Sequence, residues 1–241
     1  MNLWRVIRDH PAFRTVWLTQ SVSQLGDYMY VVTVAWLVAE LTGSKAALAA
    51  VRTAGMLPVV VLGLAAGVWV DGSDRRRTLM ACDAFRMALA GAFALLIWLQ
   101  AVTFASLVCI AALFGAARAF FDPAYMAYVP QLLDRDDLVT ANGLEYVGQR
   151  LLSVAGPGLG GLLVEAAGCA LNVGLNALSF GIGVLGLWLS RPRLACNPPG
   201  RPSPAEFVRD LGSAFTYLRT RRDLCVCSCW GAPAICAKRP S

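Results

Sequence analysis

From about residue 14 to residue 190 the chain reads as long apolar stretches separated by short polar ones. Six stretches are long enough for a helix that crosses about 30 Å of hydrocarbon at 1.5 Å per residue. They cover about 14–39, 46–70, 79–99, 103–122, 139–165 and 171–190. The first is broken by Gln24 and Asp27, the second carries Pro58, and the fifth carries Pro157. The pattern predicts an all-α membrane protein, a six-transmembrane-helix bundle over residues 1–190.

The connectors alternate in character. One set holds Arg5, Arg8 and Arg14, then Arg75, Arg76 and Arg77, then Arg135, then a run from Arg191 to Arg222. The other set holds Lys45 and no further basic residue. Basic residues mark the cytoplasmic side of membrane proteins. Both termini are therefore expected in the cytoplasm, with the chain in the cell (inner) membrane. Gly63, Ala66 and Gly67 on the second span, and Gly181, Gly183 and Gly186 on the sixth, suit close helix packing in lipid.

Composition agrees: 57% of the 241 residues are hydrophobic and 15% charged, against about 25% charged in soluble domains. The net charge of +6 is spread between apolar runs rather than gathered in a patch, which argues for the lipid bilayer as partner and against nucleic acid. Cys82, Cys109 and Cys169 fall in apolar runs, and Cys225, Cys227, Cys229 and Cys236 crowd the C-terminal end. With His10 the sole histidine, no metal site or other cofactor is expected, and no enzymatic constellation is evident.

Charges inside the spans are the candidate chemistry, because ionisable groups in hydrocarbon are costly and usually functional. Asp27 lies near the middle of the first span, roughly 20 Å from its cytoplasmic end at 1.5 Å per residue. Arg118 lies in the inner part of the fourth span, four residues before Asp122. Arg150 precedes the Gly156-Pro157 step by about two turns, with Glu145 nearby. Asp83 and Arg86, spaced i,i+3 on the third span, read most simply as a local ion pair. Arg52 reads as a snorkelling residue near the outer end of the second span.

The loop after the second span runs Gly67-Val68-Trp69-Val70-Asp71-Gly72-Ser73-Asp74-Arg75-Arg76-Arg77. It resembles the G-x-x-x-D-R-x-G-R-R signature of the major facilitator superfamily, with Gly72 in place of the expected Arg and Asp74 in place of the second Gly. The fifth span resembles the same family's antiporter motif through Gly143, Gly156, Pro157, Gly160 and Gly161, with Leu152 where the middle Gly is expected. Arg118 stands where a proton-coupling arginine of the family stands. The opening Trp17 to Asp27 and the segment around Asp122-Pro123, Pro130 and Ala141-Asn142 resemble the enterobactin-exporter-like and macrolide-efflux-like branch. The resemblance covers about residues 10–223 and implies efflux of small drug- or siderophore-like molecules driven by protons. It implies gating roles for Gly67, Asp71, Asp74 and Arg75–Arg77, and cavity or proton-coupling roles for Asp27 and Arg118; Arg150, by its position ahead of the Gly-Pro step, is a further cavity candidate.

Members of that superfamily have two six-span halves, and this chain matches one. The expected architecture is the N-terminal half of a major facilitator fold, itself a 3+3 inverted repeat. Residues 191–223 read as its cytoplasmic linker with an amphipathic helix. Residues 224–241 read as an atypical Cys-rich tail left by truncation or frameshift. Transport by one half would need a missing second half or a homodimer. A non-transporting remnant and a six-span scaffold or enzyme are the alternatives.

Overall fold

The computed structural model describes residues 3–190, so the linker 191–223 and the tail 224–241 lie outside the described residues. Six α-helices follow one another: α1 (Leu3–Asp9), α2 (Pro11–Thr42), α3 (Lys45–Asp71), α4 (Arg75–Trp98), α5 (Phe104–Tyr128) and α6 (Leu138–Leu189). Two 3-10 turns, Val129–Gln131 and Arg135–Asp137, link α5 to α6. Five of the helices are long and apolar enough to cross a membrane.

The fifth of these, α6, supplies two crossings. Its 52 residues would extend about 78 Å as one rod, over twice the hydrocarbon thickness. The rod is divided at Gly168, which alone in α6 leaves helical geometry, with φ 83° and ψ 167°. That backbone region is essentially reserved for glycine. Both limbs then run along α2 in opposite directions. In the first limb Gly148 lies by Trp17 and Gly156 by Tyr28; in the second Asn172 reaches Met29 and Thr33, and Gly186 meets Thr19. The expected fifth and sixth spans are thus a hairpin clasping the first.

Local chemistry sets the helix ends. Pro11 opens α2, where a missing N–H costs nothing, and Gly43 closes it in the left-handed conformation. Ser44 and Asp74 cap α3 and α4 by accepting from Ala47 and Arg77 backbone N–H groups. Thr103 and Ser106 form a reciprocal capping box at α5.

Two boundaries differ from the sequence reading. α5 continues through Pro123 to Tyr128, so Arg118 lies ten residues, nearly three turns, inside the helix instead of about one turn from its end. The arginines expected in the loop after the second span form the first turn of α4 instead. At the fifth span, helical geometry persists through Pro157, and the departure comes at Gly168.

The interior is layered. One apolar cluster, including Phe13, Val16, Leu79, Phe121, Tyr128 and Leu187, fills the arginine-rich end. A second, including Val38, Val51, Phe93, Leu107, Val173 and Phe180, fills the opposite end. Gln20, Ser23, Asp27, Asp83 and Arg86 fall between the two clusters on their helices, forming a polar layer at mid-depth. The main helix pairings are α2 with α6, α3 with α5, and α4 with α5 and α6. At the α3–α5 crossing a Cβ on Gly115 would collide with the Gly55 carbonyl, the close approach that small residues permit in lipid.

Candidate functional site

The mid-depth layer is organised around Arg86 of α4. Its Nη2 donates to Asp83 Oδ1 at 3.0 Å, one helical turn back, and its Nη1 donates to Asp27 Oδ2 on α2 at 3.4 Å. The guanidinium lies between two rings, 4.2 Å from the Phe121 centroid and 4.8 Å from that of Phe180. The rings come from the two different apolar clusters. The cation thus meets two ring quadrupoles while its amino groups serve two carboxylates.

Asp83 is fully buried, and its second oxygen accepts from Gln20 Nε2 at 2.8 Å. Gly183 on the second limb of α6 leaves room for that bond: a Cβ there would stand 2.9 Å from Asp83 Oδ2 and 3.2 Å from Gln20 Nε2. Asp27 differs, with 40% of its side chain exposed. Asn176 lies beside it, and Arg118 and Asp122 of α5 are within electrostatic reach. Arg118 and Asp122 bond each other at 3.1 Å and are themselves open to the surroundings. The structure therefore makes Arg86, rather than Arg118, the direct partner of Asp27. The local Asp83–Arg86 pair exists as expected but extends to a second helix.

The remaining candidates are placed as follows. Arg150 is exposed, lies over the Tyr146 ring at 5.1 Å and, among the described residues, stands apart from the network. Glu145 accepts from Tyr125 Oη at 2.7 Å. Gly156 and Gly160 press on α2 around Tyr28 and Met29, immediately after Asp27, whereas Gly143 and Gly161 face open space. Pro157 lies between the packed pair within a continuous helical segment.

Gly67 also faces open space, so the close contact its motif suggests is not made among the described residues. Asp71 is exposed at the end of α3. Asp74 caps α4 and pairs with Arg77 at 3.3 Å. Arg75 reaches the Ala127 carbonyl at 3.5 Å, and Arg76 donates to the carbonyls of Leu187, at 2.7 Å, and Trp188. Helix C-termini present unsatisfied carbonyls and partial negative charge. Two of the signature arginines thus tie α4 to the ends of α5 and α6.

At the same end, buried His10 bonds Asp137 at 2.9 Å, with Asp134 at 3.9 Å. These three bring possible metal donors within 4.8 Å of one another. A tie between the start of α2 and the α5–α6 connector accounts for their proximity.

Sequence reasoning missed Arg86 and Gln20 as partners of this network. The available signal was register: Gln20 and Asp27 lie two turns apart on one face of α2, as Asp83 and Arg86 lie one turn apart on α4.

Six apolar crossings around a charged, largely buried interior define a multi-pass membrane protein. The profile of the family described as transmembrane secretion effector matches residues 4–227, and the chain belongs to that family, within the major facilitator superfamily. It is 28% identical to the multidrug efflux pump Tap of Mycobacterium tuberculosis, over 89% of this chain and 52% of the pump. It is 30% identical to the enterobactin exporter EntS of Salmonella choleraesuis, over 88% of this chain and 50% of the exporter. It is 22% identical to the macrolide efflux protein A of Streptococcus pyogenes, over 92% of this chain and 54% of that protein. The chain spans about half the length of these curated relatives.

Proposed function

We propose that the chain forms the N-terminal six-span half of a proton-coupled exporter of small amphipathic compounds. The observation that carries this reading is Asp27, a half-exposed carboxylate at mid-depth, backed by buried Arg86 and facing Arg118 and Asp122. A carboxylate at that depth persists where a proton, an ion or a cationic ligand exchanges with its partner. Secondary transporters of this class place their sites near the midplane between two repeats.

The relatives' names, a multidrug pump, a macrolide efflux protein and an enterobactin exporter, support export of drug- or siderophore-like molecules. Alternating access then requires a second six-span half or a second copy of this chain. The arginine-rich end, with both ends of the six-span region, faces the cytoplasm in the inner membrane on this reading. Asp71, exposed on that end, and the open faces of Gly67, Gly143 and Gly161 are available to the partner half.

The test is accumulation of a fluorescent amphipathic cation in cells expressing the chain. Export lowers accumulation, and both a protonophore and Asp27→Asn restore it. Accumulation equal to that of the empty host, with Asp27→Asn identical, overturns transport by this chain and leaves a non-transporting remnant.

A further inference from the structure

We infer that Arg86 is a positioning residue with two carboxylate seats, and that Asp83 is the reserve seat that makes the charge on Asp27 expendable. The functional use of this arrangement rests on the transporter reading above, while the arrangement itself rests on geometry.

The two seats are unequal. The bond to Asp83 is 3.0 Å and lies in a site with no exposure, fixed from behind by Gln20 and covered at Gly183. The bond to Asp27 is 3.4 Å and opens on one side. Removing one partner of a buried ion pair is strongly destabilising, because the other charge is left uncompensated. Here that penalty is avoided on one side only. When a proton or a cationic ligand neutralises Asp27, Arg86 keeps Asp83 and its two rings. Without Asp83, the same event would strand a cation between Phe121 and Phe180.

The groups facing Asp27 are few. Arg86 and, behind it, Asp83 come from α4, Tyr30 lies one turn on along α2, Arg118 and Asp122 come from α5 and are bonded to each other, and α6 contributes neutral Asn176 and, against Gly26, Ser179. Arg118 has its own carboxylate, so Arg86 is the cation whose allegiance is divided. Two opposite effects follow. Loss of the arginine charge favours neutral Asp27. Loss of the Asp83 charge concentrates Arg86 on Asp27 and disfavours its neutral form.

The test uses dicyclohexylcarbodiimide, which reacts with neutral intramembrane carboxyls, on the full chain in lipid nanodiscs at fixed pH. Modification of Asp27 is read by peptide mass spectrometry. Arg86→Gln is expected to raise the labelling rate about tenfold, and Asp83→Asn to lower it about tenfold, as expected for gain or loss of a buried counter-charge. Arg86→Lys, which keeps the charge but not the fork that reaches both seats, gives a rate between those of the unaltered chain and Arg86→Gln. The inference is overturned if Asp83→Asn raises the rate or leaves it unchanged, or if Arg86→Lys behaves as Arg86→Gln. Should Arg86→Gln fail to fold, the isosteric Asp83→Asn and Arg86→Lys still decide. The labelling reads the network whether or not the chain exports, so it stands or falls separately from the accumulation assay.

Discussion

Gln20 donates to Asp83 across 2.8 Å, joining α2 to α4 although both helices pack chiefly on α6. The bond passes over Gly183, the position on α6 without a side chain to block it. Packing and polar bonding are therefore one feature at this depth. A change to any of the three residues acts on the charge network.

Gly183→Ala places a methyl group 2.9 Å from Asp83 Oδ2. Overpacking of this kind costs about 1–3 kcal/mol. The variant should melt at a lower temperature in detergent than the unaltered chain. An unchanged melting curve would mean that the Gln20–Asp83 bond shifts aside freely.

The α3–α5 crossing gives a paired contrast. Gly115→Ala drives a Cβ into the Gly55 carbonyl and should lower stability by about 1–3 kcal/mol. Gly143→Ala, at a motif glycine with open space around it, should be neutral or gain up to about 1 kcal/mol through helix propensity. Denaturant unfolding of both variants checks the difference, and equal losses would refute the packing assignment.

Arg76 and Arg77 are neighbours with different work. Arg76→Ala removes two bonds to carbonyls at the end of α6 and should cost about 1.5–3 kcal/mol, the range for hydrogen bonds to charged groups. Arg77→Ala breaks an ion pair whose arginine side chain is 87% exposed and should cost under about 1 kcal/mol. Hydrogen exchange at residues 186–190 should rise in the first variant alone.

Gly168 makes the reversal between the two limbs of α6 at φ 83°. Gly168→Ala should destabilise by about 1–3 kcal/mol from backbone strain alone, since nothing lies within 4 Å of the added Cβ. A cysteine pair linking the two limbs would report their separation, and retained proximity at unchanged stability would contradict the strain account.

Much of the fold is legible in the residues. Apolar stretches near twenty residues long require helices in lipid, because backbone groups there have no water to bond. Asp74, Thr103 and Ser44 then mark helix starts by their side-chain oxygens. The extension of α5 to Tyr128 was not legible, since Pro123 and the polar Asp122 read as an end. Buried Tyr128, bonded to Ser190, belongs to the apolar cluster that holds that final turn in place.

The site divides in the same way. Asp27 stands out from the sequence alone, because a carboxylate amid apolar residues needs a partner wherever the chain folds. Which partner it takes is a matter of three dimensions. Arg118 and Arg86 are both mid-span cations, but Arg118 is held by Asp122 on its own helix. Arg86 is turned inward between Phe121 and Phe180 and reaches Asp27. Local spacing determined where the helices run and the depth of Asp27, whereas the depth of Arg118 followed from the extension of α5. Only the hairpin of α6 around α2, which brings Phe180 and Gly183 to α4, decided which charges meet, because those contacts join residues far apart in the chain.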